Sequence, residues 1–190
     1  MNQYNFKIAS PSSKSLINLI AMHGKSLVGI ELGIFQAESF CTILQTCENV
    51  EKLYGVDRWE PYSDYIKDEE DGMFVDEKIS EINKFISYHN LKFSGCQSRG
   101  QFLEMSTKEA SNLFENNFFD FIFLDAYLSY EQAKSELYDW YPKLKSGGIF
   151  CGHDWSYTNV QKAVNEFRNE NNINSYMCNY DDCWVWIKDQ

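Results

Sequence analysis

Four short apolar runs, separated by stretches of helical periodicity, constrain this chain more than any other feature. They are Leu27-Val28-Gly29-Ile30-Glu31-Leu32, Lys52-Leu53-Tyr54-Gly55-Val56-Asp57, Phe119-Asp120-Phe121-Ile122-Phe123-Leu124-Asp125 and Ile149-Phe150-Cys151-Gly152. Leu91 to Gly95 reads as a weaker strand between them. Apolar strands alternating with helices predict a parallel sheet covered on both faces. Right-handed crossovers make that sheet doubly wound, and ligands then sit beyond the carboxyl ends of the strands. Those ends carry Glu31, Asp57, Asp125 and the pair His153-Asp154. Four of these five are carboxylates, which the fold alone does not require.

The predicted helices cover Ser12 to His23, Ala37 to Cys47, Val75 to about Asn90, Thr107 to Asn116, Tyr130 to the stop at Pro142, and a stretch holding Val160, Ala163, Val164 and Phe167. Lys145 to Gly148 reads as a turn, and Ile173 to Met177 with Cys183 to Lys188 as a terminal hairpin. The 190 residues suit one α/β domain, 1–190. Within it, 1–25 is an N-terminal helical segment and 60–90 an insertion on the acceptor side. Tyr62, Tyr65, Met73 and Phe74 make the start of that insertion either a lid or a solvated acidic loop.

Charge narrows the partners. The net charge of −11 disfavours nucleic acid phosphate and anionic lipid. No stretch approaches the ~20 apolar residues of a membrane span, and Met1 to Lys7 lacks a secretory core, so a cytoplasmic location is expected. The six cysteines form no C-x-x-C pair, which points to free thiols rather than a zinc or redox motif.

The loop after the first run selects the ligand. A dinucleotide site wants G-x-G-x-x-G so that backbone approaches a pyrophosphate. From Gly33, the later glycine positions hold Phe35 and Glu38. A ring and a carboxylate there disfavour NAD and ATP. S-adenosylmethionine has no phosphate, and its sulfonium and ammonium suit acidic strand ends. The plainer alternative is that Gly33 only permits a tight turn. Asp57 could accept both ribose hydroxyls or be a helix cap. Trp59 could pack on adenine or belong to the core.

At these residues the chain resembles the class I S-adenosylmethionine-dependent methyltransferases, and within them methyltransferase family 24, related to macrocin-type sugar O-methyltransferases. The matching stretches are Gly29 to Gly33, Gly55 to Trp59, Phe119 to Ala126, Ser129 to Glu131, Trp140 to Gly148, and Gly152 to Trp155 with Val160 and Ala163-Val164. The resemblance implies a Rossmann-like α/β fold: a doubly wound seven-stranded sheet of order 3-2-1-4-5-7-6, the last strand antiparallel, with helices on both faces. It implies Glu31 and Gly33 beside the methionine part, Asp57 on the ribose, and Ser98, just after strand three, near adenine. The cofactor-binding set expected is Glu31, Gly33, Phe35, Ser39, Asp57, Arg58, Trp59, Ser98 and Asp125.

On the acceptor side, Asp125, His153 and Asp154 are the expected catalytic residues. Acids at the two aspartate positions hold Mg²⁺ in related metal-dependent O-methyltransferases, and a hard cation there would lower the pKa of a bound hydroxyl. Asp125 and Asp154 are therefore candidate Mg²⁺ ligands. His153 is the first candidate base, since its ordinary pKa lies near neutrality; a satisfied polar residue is the alternative. The family usually has histidine where this chain has Leu128, and leucine moves no proton. The expected function is O-methylation of a small molecule or sugar hydroxyl. The alternative is a cofactor-binding module without methyl transfer. No nucleic acid or membrane partner is expected, and a homo-oligomer is open.

Overall fold

The computed structural model describes residues 14–61, 75–127 and 129–189. The order is α1 (Lys14–Met22), β1 (Leu27–Leu32), α2 (Glu38–Thr46), β2 (Val50–Asp57), α3 (Glu77–Ser94), β3 (Gly100–Glu104), α4 (Thr107–Ser111), β4 (Phe119–Leu124), α5 (Tyr130–Trp140), a 3₁₀ turn (Tyr141–Lys143), β5 (Leu144–Gly152), α6 (Thr158–Glu170), β6 (Cys178–Tyr180) and β7 (Cys183–Ile187). The seven strands form one sheet of order β3-β2-β1-β4-β5-β7-β6. Neighbours from β3 through β5 pair in parallel, and β7 runs antiparallel to β5 and β6. This is the order and sense the resemblance implies. Among the described residues no helix is long and apolar enough to cross a membrane.

The central strands are apolar on both faces because helices cover both. Phe121 and Phe123 point into a cluster with Phe40, Cys41 and Leu44 of α2 and Ile17 and Ile20 of α1. Ile122, between them, points the other way, into a cluster with Phe150, Leu137, Trp140, Val164, Phe167 and Trp184. Each such side chain contributes ~1.5–3 kcal/mol on burial, so the alternation pins the register of the sheet.

Four expectations need correction. Leu91 to Gly95 is not a strand: it is the last turn of α3, whose N-cap Asp76 accepts from the Ile79 N–H and whose stop is Gly95 at φ 77°. The third strand instead follows at Gly100–Glu104. The expected turn at Lys145 to Gly148 lies within β5, where an irregular register between Phe119 and Phe121 absorbs it. The helix expected from Thr107 to Asn116 is the short α4, and the first hairpin strand is Cys178–Tyr180 rather than Ile173 to Met177. Tyr62, Tyr65, Met73, Phe74 and Leu128 lie outside the described residues.

Candidate functional site

The loop after β1 turns on Gly33, at φ 84°. A Cβ there would lie 2.0 Å from the Asp125 carbonyl oxygen, so glycine is required twice, by conformation and by space. The Gly33 N–H donates to the Val56 carbonyl at 2.9 Å and the Asp125 N–H to the Leu32 carbonyl at 2.8 Å. The ends of β1, β2 and β4 are thus tied together by main chain.

Phe35 and Ala37 also have positive φ, at 47° and 62°. Asp57 stabilises this glycine-like path. Its Oδ2 accepts the N–H groups of Ile34 at 2.8 Å and Phe35 at 2.9 Å, and its Oδ1 accepts that of Trp59 at 2.8 Å. Three of the roughly four acceptor sites of the carboxylate are occupied by the chain itself. From the other side, α3 holds the same loop: Asn90 Nδ2 donates to the Gln36 carbonyl, and Gln36 Nε2 donates to Asn83.

Glu31 lies beneath the loop and is fully buried. Ser39 Oγ donates to Oε1, while Oε2 is buried without a hydrogen-bond partner. Burial pushes this carboxyl well above the usual range; the Ser39 bond opposes the rise and the nearby Asp125 adds to it. A buried acid with an unsatisfied oxygen is a poor place for an anion and a good one for a cationic group.

Above the sheet ends opens a cavity of about 560 Å³, walled by Gly33, Asp57, Arg58, Met105, Ser106, Thr107, Tyr127, Gln132 and Glu136 among others. That volume is in the range of small-molecule sites. Of the residues expected to bind a cofactor, Gly33, Asp57 and Arg58 reach this wall. Glu31 and Ser39 are not among the wall residues, and Phe35 contributes its backbone N–H to Asp57. Trp59 does not reach it: its ring packs against Phe102 and Tyr88, and its Nε1–H donates to the Phe35 carbonyl at 2.9 Å. Ser98 lies in the turn before β3, at the amino ends of the strands, so the placement that motivated it is overturned. The wall at that strand's carboxyl end is instead Met105, Ser106 and Thr107.

Glu136 was not anticipated. Its Oε1 accepts from Thr107 Oγ1 at 2.8 Å and Gln132 Nε2 at 2.6 Å, and it is buried. Burial raises its pKa to about 7, against the lowering effect of those two bonds. The available signal was an acid on the apolar stripe of α5, three residues after Ala133 and beside Leu137.

At the other end of the site, the His153 N–H donates to the Leu124 carbonyl at 3.0 Å, which sets His153 beside Asp125. His153 Nδ1 is 2.9 Å from Asp154 Oδ1 and 3.7 Å from Asp125 Oδ1. Asp154 has φ 59°. The turn between β6 and β7 holds this loop: the carbonyl of Asp182 accepts from the Trp155 N–H at 3.0 Å, and its carboxylate from the Ser156 N–H at 2.6 Å. Burial lowers the His153 pKa, but the Asp154 bond and the charges of Asp125, Asp154 and Asp182 outweigh it and push it up to about 9. Burial pushes Asp125 upward, His153 pulls it down, and Asp154 raises it again. The carboxyl groups of Asp154 and Asp125 thus flank the ring and favour its protonated form. A ring whose protonated form is favoured is suited to orient or donate as well as to accept. A cavity of about 20 Å³, room for one water, separates this group from Glu136.

The donor atoms of Asp125, His153 and Asp154 all lie within 4.8 Å of one another. The arrangement does not fit Mg²⁺ as it stands. Two carboxylates and one imidazole make a mixed donor set, whereas Mg²⁺ prefers an all-oxygen shell.

The sequence matches the model of a methyltransferase domain, methyltransferase family 24, over residues 30–155, well over half of the chain. The chain belongs to this methyltransferase family. Solved structures agree on the fold. The O-methyltransferase NovP superposes with a TM-score of 0.67 at 18% identity, covering 94% of this chain and 80% of NovP. Cofactor-bound Rv0187 from MTB gives 0.64 at 10% identity, covering 96% and 82%. Precorrin 8w decarboxylase from Methanobacterium thermoautotrophicum gives 0.62 at 15% identity, covering 93% and 88%. At these identities the likeness is one of fold, and a neighbour named for a decarboxylase shows that the fold does not choose the reaction. No curated protein matches the sequence. In this methyltransferase the matched span ends at Trp155, so it takes in every strand-end residue discussed above except those of the β6–β7 turn.

Proposed function

We propose that this methyltransferase moves a methyl group from S-adenosylmethionine to a hydroxyl oxygen of a small molecule or sugar. The contact between Gly33 and Asp125 carries the reading. It sets the cavity loop against the backbone of Asp125, whose side chain stands beside His153, so a cofactor against the loop would lie next to an acceptor at the aspartate–histidine group.

The residues fit the cofactor in charge and shape. Glu31, with its unpartnered buried Oε2, suits the ammonium of the methionine part. The remaining acceptor capacity of Asp57 suits a ribose hydroxyl. Ser106, Thr107 and Glu136 suit the polar edge of an adenine, with Tyr127 beside them on the wall. When bound, S-adenosylmethionine supplies a methyl group activated by a sulfonium.

The chain's contribution is to orientation and charge. Gly33 allows close approach by having no side chain. Asp125 and Asp154 accept hydrogen bonds and fix the direction of an acceptor hydroxyl. His153, anchored on Asp154 through Nδ1, lies between the two carboxyl groups and holds them in place. Asp125, whose pKa burial raises, is the group best placed to take the hydroxyl proton as the carbon–oxygen bond forms.

Incubation with methyl-labelled S-adenosylmethionine and a panel of phenols, catechols and sugars tests the reading. Label in an ether product is the expected result. Cofactor binding with no transfer to any acceptor would establish the module without methyl transfer instead.

A further inference from the structure

One flank of the cavity has no side-chain hydrogens left to give. Thr107 opens α4, and Gln132 and Glu136 stand one turn apart on α5, so the three side chains meet at the wall. Thr107 Oγ1 donates to Glu136 Oε1 at 2.8 Å. Gln132 Nε2 gives one hydrogen to the same Oε1, at 2.6 Å, and the other to Thr107 Oγ1, at 3.1 Å. That close approach to a carboxylate fixes which end of the Gln132 amide is the nitrogen. Beside them, the Ser106 hydroxyl donates to Glu109 Oε2 at 2.7 Å within the capping box of α4. The side-chain hydrogens of Ser106, Thr107 and Gln132 are therefore all used inside the chain.

What these side chains have left is acceptor. Among the described residues nothing donates to Gln132 Oε1 or to Glu136 Oε2. Glu136 is only 3% exposed and lines the cavity, so its second oxygen has little water to turn to. An acceptor so far out of water is costly until a donor meets it. The 6-amino group of adenine carries two hydrogens, one for each of the two oxygens. A 6-oxo purine places a further acceptor at that point and offers only its N1–H. A site built around a hydrogen bond rejects the analogue without the donor far more strongly than a site of matching shape alone. Resting on the cofactor reading above, we infer that Gln132 and Glu136, held by Thr107, read the 6-amino group of the cofactor and make this methyltransferase select adenine over 6-oxo purines.

Calorimetry of the full chain at pH 8 with S-adenosylhomocysteine and its deaminated analogue, S-inosylhomocysteine, tests this. That pH lies above the value of about 7 to which burial raises Glu136, so the carboxyl is ionised. The wild type should bind the adenine form about thirtyfold more tightly. Glu136→Gln puts an amide N–H₂ in place of one oxygen, and should bring the two affinities within about threefold of each other. A merely structural role for Glu136 would weaken both ligands alike and leave their ratio as it was. A wild type that binds both ligands equally overturns the inference, as does a Glu136→Gln variant that keeps the full wild-type ratio. A wild type that binds neither ligand contradicts the cofactor reading itself, and the inference falls with it.

Discussion

Asp57 Oδ2 accepts the backbone N–H of Phe35 at 2.9 Å, and through that bond the end of β2 shapes the loop after β1. The loop needs the help: Phe35 stands at φ 47° where a glycine would rest without cost. Ile34 donates to the same oxygen. Asp57 thus acts on the cavity twice, as a wall residue and as the anchor of the opposite wall. Asp57→Ala should lower affinity for S-adenosylhomocysteine about a hundredfold, ~3 kcal/mol, and should also lower the melting temperature of the free protein. Calorimetry and thermal denaturation read the two effects. A pure ribose contact would leave the melting temperature unchanged.

Gly33→Ala should be more damaging than its size suggests. The new methyl would collide with the Asp125 carbonyl, and φ 84° strains any side chain. Loss of binding with a melting temperature several degrees lower is expected. An alanine variant that binds normally would show that β1 and β4 separate easily here.

Glu136 gives a pH prediction. Its folded pKa of about 7 lies above its unfolded value, so the folded state binds the extra proton. The stability it contributes is complete below pH ~4.5 and is lost as pH rises through about 7. Glu136→Gln keeps an oxygen to accept from Thr107 and Gln132 while removing the charge. The variant should therefore gain stability over the wild type as pH rises from 5 to 8, by up to ~3 kcal/mol. Urea denaturation at both values measures the difference. Equal slopes with pH in the two proteins would contradict it.

The sheet was largely legible because its central strands are apolar on both faces and three of them run into an acid, marking Glu31, Asp57 and Asp125. The strand order beyond alternation came from the family resemblance, not from periodicity. The third strand was misplaced for a physical reason. Gly100–Glu104 is an edge strand with no fully buried side chain, whereas Leu91 to Gly95 looks apolar but completes a helix. That error sent the adenine side to Ser98 and hid Ser106 and Thr107. Trp59 illustrates a different limit. Its place after a strand-end acid suggests a ligand, yet only the fold shows Tyr88 and Phe102 already against it.

His153 gives a prediction about metal. Its folded pKa of about 9 lies above the ordinary 6.5, so its pairing with Asp154 stabilises the fold fully below pH ~6.5 and less as pH rises through about 9. Asp154→Asn should bring the histidine titration, followed by ring resonances, down toward 7. Millimolar Mg²⁺ should leave the wild-type titration unmoved, and EDTA should leave methyl transfer intact. A large downward shift on adding Mg²⁺ would show that the ion binds beside the ring.

We propose the cavity bounded by Gly33, Asp57 and Ser106 as the site of S-adenosylmethionine. Titration calorimetry of the wild-type chain with S-adenosylhomocysteine tests it most directly. Binding of one equivalent, weakened strongly by Asp57→Ala and barely by Ser98→Ala, is the predicted result. No heat of binding from a folded wild-type protein at high micromolar concentration would contradict it.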